Sequence, residues 1–172
     1  MRVLLTKEQI KDIRHMQKNL DLRVREANGI DLDKDLTLEK YLALKTELFE
    51  FVNEIESFKY WKKNKGKDHI LEEACDTLHF IFSLAIDNDA EIIQDEKSVE
   101  KFDIDNYGTN DLIGILDAII SDIYISKEWG ELSTALTILT AILNKCDFTS
   151  ENLYDEYIKK NKVNHERQNS NY

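Results

Sequence analysis

Leu36-Thr37-Leu38-Glu39-Lys40-Tyr41-Leu42-Ala43-Leu44-Lys45-Thr46-Glu47-Leu48-Phe49-Glu50-Phe51-Val52-Asn53-Glu54-Ile55-Glu56-Ser57-Phe58-Lys59-Tyr60 returns an apolar residue every three or four positions. Leu38, Tyr41, Leu42, Leu44, Leu48, Phe51, Val52, Ile55 and Phe58 carry that period, which is the repeat of a helix with one buried face. The composition extends the same reading to the whole chain. There is no proline and there are only five glycines, whereas a β-protein with many tight turns needs both. The expected fold is all-α, a compact bundle of about six helices in a single domain spanning residues 1–172.

The other helices follow from their caps and stripes. Thr6-Lys7-Glu8-Gln9 is a capping box opening a helix to about Glu26, with Ile10, Ile13, Met16, Gln17 and Leu20 along one face. Asn28-Gly29 ends it, and an acidic turn from Asp31 to Asp35 leads into the quoted segment. After a basic loop, Asp68 is the expected N-cap of a helix from His69 to about Ile86. Glu91 to Asn106 reads as irregular or weakly helical, and apolar helices follow from Gly108 through Ile125 and from Glu131 to Asn144. Thr149-Ser150-Glu151 opens a final helix to about Val163, with Asn164 to Tyr172 as a tail.

Charge and length exclude several roles. The chain has 172 residues, with 34 acidic and 23 basic side chains, hence a net charge of −11 that repels nucleic acid. No run of about 18 apolar residues is present, so no membrane span is expected, and Met1 to Lys7 is too short an apolar stretch for a signal peptide. Cys75 and Cys146 alone make no disulfide framework, which points to a reducing compartment, most simply the cytosol.

Chemistry concentrates in two consecutive helices. Glu47 and Glu50 lie three residues apart and so share a face, and Glu54 follows one turn later. Glu73 and Asp76 repeat the spacing on the next helix. The 22 residues between Glu50 and Glu73 suffice to end one helix, turn and run back antiparallel. Glu-x-x-Glu is common on solvated helix faces, but these pairs interleave with dense apolar sets. Four carboxylates converging there repel strongly unless a cation compensates. Oxygen-only ligands select a hard ion, so Mg²⁺ is the expected cofactor, with Mn²⁺ the other candidate. A ferritin-like di-iron bundle would need two Glu-x-x-His motifs, and the sequence offers only Asp76-x-x-His79. Lys59, Lys62, Lys63, Lys65 and Lys67 crowd between the two acidic helices, and Lys159, Lys160, Lys162, His165 and Arg167 form a second group. Cations rimming a metal cradle suit a polyphosphate substrate. Phe58, Tyr60 and Trp61 sit in the same corner, placed either to stack on a base or to close the core.

On Glu47 to Glu54, Phe58-Lys59-Tyr60-Trp61-Lys62, Glu72 to Phe80, Met16 to Asp21 and Tyr157-x-x-Lys160-Asn161-x-x-Asn164-x-x-Arg167-Gln168, the chain resembles the dimeric all-α dUTP diphosphatases. These belong to the MazG-like all-α nucleotide pyrophosphohydrolases, and the compact length resembles members from phages of Gram-positive bacteria. The resemblance implies hydrolysis of dUTP, and of dUDP, to dUMP, with pyrophosphate released from dUTP. It implies Glu47, Glu50, Glu73 and Asp76 as Mg²⁺ ligands, with Glu47 also deprotonating the attacking water. It further implies Lys62 (or Lys59), Lys160 and Arg167 on the phosphates, Asn164 at the sugar or phosphates, and Gln17 and Trp61 around the uracil. Asp21 stands where many members carry Asn.

The apolar segments 112–123 and 132–143 carry enough hydrophobic surface that part of it is expected to form a homodimer interface. Two other readings compete with dUTP hydrolysis. One is a related pyrophosphohydrolase of different nucleotide preference. The other is an acidic helical module that captures a basic regulatory partner such as a repressor protein.

Overall fold

The computed structural model describes residues 4–63, 68–101 and 104–169; Lys65, Lys67 and the closing Asn171-Tyr172 lie outside them. Its helices are α1 (Lys7–Ala27), α2 (Thr37–Ile55), α3 (Ile70–Asp87), α4 (Glu96–Lys101), α5 (Thr109–Ser126), α6 (Leu132–Lys145) and α7 (Ser150–Asn169). The six long elements expected from the sequence are present, α4 is a short addition in the polar run, and no strand occurs among the described residues. No helix among them is long and apolar enough to cross a membrane.

Local chemistry sets most of the ends. Thr6 accepts from the Gln9 backbone N–H at 3.1 Å while the Gln9 side chain accepts from Thr6 N–H at 2.9 Å, closing the expected capping box. Gly29, at φ 63°, takes the left-handed turn after α1. Thr149 and Asn152 exchange side-chain and backbone bonds of 3.0 and 3.2 Å at the start of α7. Three boundaries differ from the sequence reading. Helix α2 stops at Ile55 rather than near Tyr60, because Glu56 turns left-handed at φ 56° and folds its carboxylate onto Lys59 and Lys62. At α3 the cap position is His69 rather than Asp68, with no side-chain capping hydrogen bond to the backbone. Helix α7 runs straight through the expected tail to Asn169.

Helix α3 is the axis of the bundle: it packs most extensively on α2 and also contacts α1, α6 and α7, while α5 lies on α6 and touches α2. Leu48 and Phe51 of α2, Ala74, Leu78 and Phe82 of α3, and Leu136, Leu139 and Ile142 of α6 are fully buried. Each such side chain removed from water stabilises by about 1.5–3 kcal/mol before entropy is counted. The apolar set of α6 is consumed inside the bundle, as are Leu112, Leu116, Ile120 and Ile123 of α5. The exposed apolar side chains Leu38, Leu42 and Phe49 lie on α2 instead.

Candidate active site

The α2–α3 seam gathers acid. Buried Leu44, Leu48 and Phe51 fix the inner face of α2, and Ala74, Cys75 and Leu78 fix that of α3. Glu47, Glu73 and Asp76 therefore emerge at the edge of the seam, half-buried, each with an oxygen within 4.8 Å of the others. Burial first, and then the charges of Asp76, Glu50 and Glu73, push the Glu47 carboxyl up to about 7. Glu73 is raised by burial, then by Asp76 and Glu50. Asp76 is raised by burial although Lys160 draws it down. Glu50 itself is exposed and stands outside the convergent group, lining a separate open cavity with Glu54 and Glu73.

Helix α7 brings the cations. Lys160 Nζ lies 2.6 Å from Asp76 Oδ2 and donates to Glu72 Oε1 at 3.0 Å. Because α7 continues past Val163, Asn164 and Arg167 follow Lys160 one and two turns along the same face. Both line a cavity of 470 Å³ whose wall also includes Glu47, Asp76, Gln17 and Phe80.

The floor of that cavity is a polar chain across four helices, α1, α2, α3 and α7. Gln17 is buried, and its amide N–H₂ donates to Asp21 Oδ1 at 2.7 Å. A carboxylate only accepts, so the Gln17 carbonyl must face the other way, where Tyr157 O–H donates to it at 2.8 Å and His79 Nδ1 lies at 2.6 Å. That places the imidazole proton on Nδ1. Burial, and then Lys160, push the His79 pKa down to about 3, so the ring stays neutral, stacked 4.3 Å from Tyr157. Ser83 Oγ donates to Asp21 Oδ2 at 2.7 Å, and Lys40 Nζ bridges Asp21 (3.3 Å) and Asp87 (2.6 Å). Sequence reasoning assigned no role to Lys40, His79 or Ser83. The only sequence signal there, Asp76-x-x-His79, matches half of a di-iron motif and gives no hint of a neutral histidine on the cavity floor.

The structure thus brings Glu47, Glu73 and Asp76 together and rings them with Gln17, Lys160, Asn164 and Arg167. It does not bring Trp61 and Lys62 to the same cavity. Trp61 is 65% exposed, edge-on to Tyr60 and Phe58. Lys62 Nζ is held 2.6 Å from Glu56 Oε2, and bonds from Lys59 and then Lys62 pull the Glu56 carboxyl down to about 2.

Three carboxylates with no thiol or imidazole among them form a donor set that fits a hard divalent cation. A helical bundle with acid on two helices and cations on a third is the construction of an all-α hydrolase for phosphorylated substrates. The comparison with known families makes this particular: residues 9–172 match the dUTPase family, and the chain belongs to it. It is therefore an enzyme that hydrolyses dUTP, a dUTP diphosphatase. No curated protein matches the chain.

Proposed function

We propose that dUTP, and dUDP with it, is cleaved to dUMP at the carboxylate edge of the α2–α3 seam, with Mg²⁺ as the cofactor and Mn²⁺ able to replace it. Glu47, Glu73 and Asp76 hold the cation, and Glu50 adds its charge one turn away. When bound, a hard divalent ion supplies neutralisation and polarisation of the phosphate oxygens. Glu47 accepts the proton of the attacking water, a weak base matched to a water whose own pKa a bound cation would lower. The water oxygen forms the new bond to phosphorus as the phosphoanhydride breaks, and pyrophosphate leaves from dUTP.

Lys160 and Arg167 neutralise the phosphates, and Asn164 donates to the sugar or phosphate region. Gln17 closes the floor beneath the base. Trp61 and Lys62 take part as base and phosphate contacts only if the 56–63 segment swings over the cavity. The observation that carries this reading is the convergence of three carboxylate oxygens within 4.8 Å beside a cavity lined by Asn164 and Arg167.

The test is pyrophosphate release from dUTP with Mg²⁺, with Mn²⁺ and after chelation, alongside dUDP, dCTP and dTTP. Metal-dependent release from dUTP, with dCTP and dTTP nearly inert, is the expected result. Undiminished turnover after chelation would sink the metal assignment, and equal turnover of dCTP would move the enzyme to a broader pyrophosphohydrolase. The same reading includes a homodimer.

A further inference from the structure

Lys160 occupies an unusual place for a phosphate-holding side chain. Its ammonium is 2.6 Å from Asp76, one of the three residues whose oxygens converge, and its side chain is only 12% exposed. The stem comes from α7, which packs on both α1 and α3, so the cation is delivered by the fold rather than by a loose surface chain. Its positive charge also acts on Glu47 and Glu73. Clustered carboxylates half-removed from water are relieved by a proton or a counter-ion whether or not substrate is bound.

The geometry points to Lys160 as the resident counter-ion of the metal-free site, exchanged from Asp76 when a divalent cation loads and thereby freed to take a substrate phosphate. This inference rests on the proposed cation site at Glu47, Glu73 and Asp76. A divalent ion among those oxygens and an ammonium on Asp76 are like charges a few ångströms apart, with little water between them to screen the repulsion. Both cannot hold Asp76 at full strength.

A second carboxylate already shares the ammonium. Glu72, half-exposed and outside the convergent group, holds the same Nζ at 3.0 Å. Its carboxyl is drawn down first by the Lys160 bond and then by His69. With Glu72 as a second partner, the ammonium is not left bare when it gives up Asp76, and its flexible four-carbon stem lets it exchange carboxylate for a substrate phosphate. Metal loading and readiness to bind phosphate are then one event, with Lys160 positioned by its release.

The experiment is calorimetric titration of Mn²⁺ into the full chain without nucleotide, for the wild type, Lys160→Met and Lys160→Arg. The charge-free variant is expected to bind Mn²⁺ at least about tenfold tighter than wild type, because the competing charge is gone. The arginine variant should stay within about threefold of wild type, since it keeps the cation. Equal or weaker Mn²⁺ binding by Lys160→Met overturns the exchange while leaving the metal site standing. If neither wild type nor variant binds Mn²⁺, the cation site itself fails and the exchange falls with it. Should Lys160→Met fold poorly, ¹⁵N spectra of the lysine ammonium groups in the wild-type chain decide. The Lys160 signal must shift in step with added Mg²⁺, and a signal that stays put overturns the inference.

Discussion

Glu47 shows how one side chain couples stability, metal and pH. Its carboxyl is raised to about 7 in the folded metal-free chain, against 4.5 as its ordinary value. The folded state therefore holds the proton more tightly than the unfolded state. The stabilisation from that protonation is fully present below 4.5 and is lost as pH rises through about 7. Glu73 and Asp76 are shifted in the same direction. A cation at the three carboxylates reverses the situation, since it requires the ionised forms. Scanning calorimetry with and without Mg²⁺ should show a larger metal-induced rise in melting temperature at pH 8 than at pH 6. The opposite order would contradict the electrostatic account. In Glu47→Gln, the metal-free protein should melt higher than wild type at pH 8, because one of the repelling charges is gone. The same variant should lose at least about a hundredfold in kcat, the usual scale for a proton-transfer group. At this scale the convergence of Glu47, Glu73 and Asp76 was legible from i, i+3 spacing on apolar helices, whereas the same spacing placed Glu50 in a group from which its exposed side chain stands apart. His79 and Ser83 were not: each is a lone polar residue on a buried face, and its partners Gln17 and Asp21 lie 62 residues away in sequence.

Gln17 is also the point where α1, α3 and α7 are tied to one another. Tyr157 from α7 and His79 from α3 both meet its carbonyl, while its N–H₂ turns back along α1 to Asp21. Substituting Gln17→Ala orphans the buried His79 Nδ1 at about 1–3 kcal/mol and leaves Tyr157 O–H with only its 3.4 Å bond to the Ile13 carbonyl. Tyr157→Phe removes only one hydroxyl and should cost about 1 kcal/mol. Urea unfolding should therefore place Gln17→Ala well below Tyr157→Phe in stability, and equal losses would show that the chain of bonds is not carrying the helix contacts. Helix types and order were readable from period and caps, but two ends were not, and both affect the site. The apolar period continued to Phe58, yet a left-handed Glu56 bound to two lysines stopped α2, leaving Trp61 and Lys62 on a separate loop. The polar stretch after Val163 lacks an amphipathic stripe, yet it continues α7, and that continuation is what sets Lys160, Asn164 and Arg167 in register.

For the whole molecule, the proposed homodimer has to overcome the repulsion between two chains of net charge −11. Two such bodies repel, so a stable contact must draw on apolar surface. The bundle leaves an apolar stripe on α2, where Leu38, Leu42 and Phe49 recur at i, i+4 and i+11 and are each about half exposed, Phe49 at the rim of the cavity lined by Glu50, Glu54 and Glu73. Neighbouring positions are already satisfied within the chain: Tyr41 stacks on Tyr124 at 4.2 Å, and Lys45 bonds to Asp117 and Ser121 of α5. A two-fold pairing of this face with itself would cover the stripe on both copies at once. Light scattering should accordingly return about twice the 20.2 kDa chain mass. The double variant Leu42→Glu with Phe49→Glu adds acid to the stripe without touching Leu48 or Phe51 beneath it, so it should elute as a 20.2 kDa species with undiminished helical circular dichroism. A wild-type chain that scatters as a monomer at micromolar concentration would remove the dimer. A double variant that remains dimeric would instead move the interface off α2.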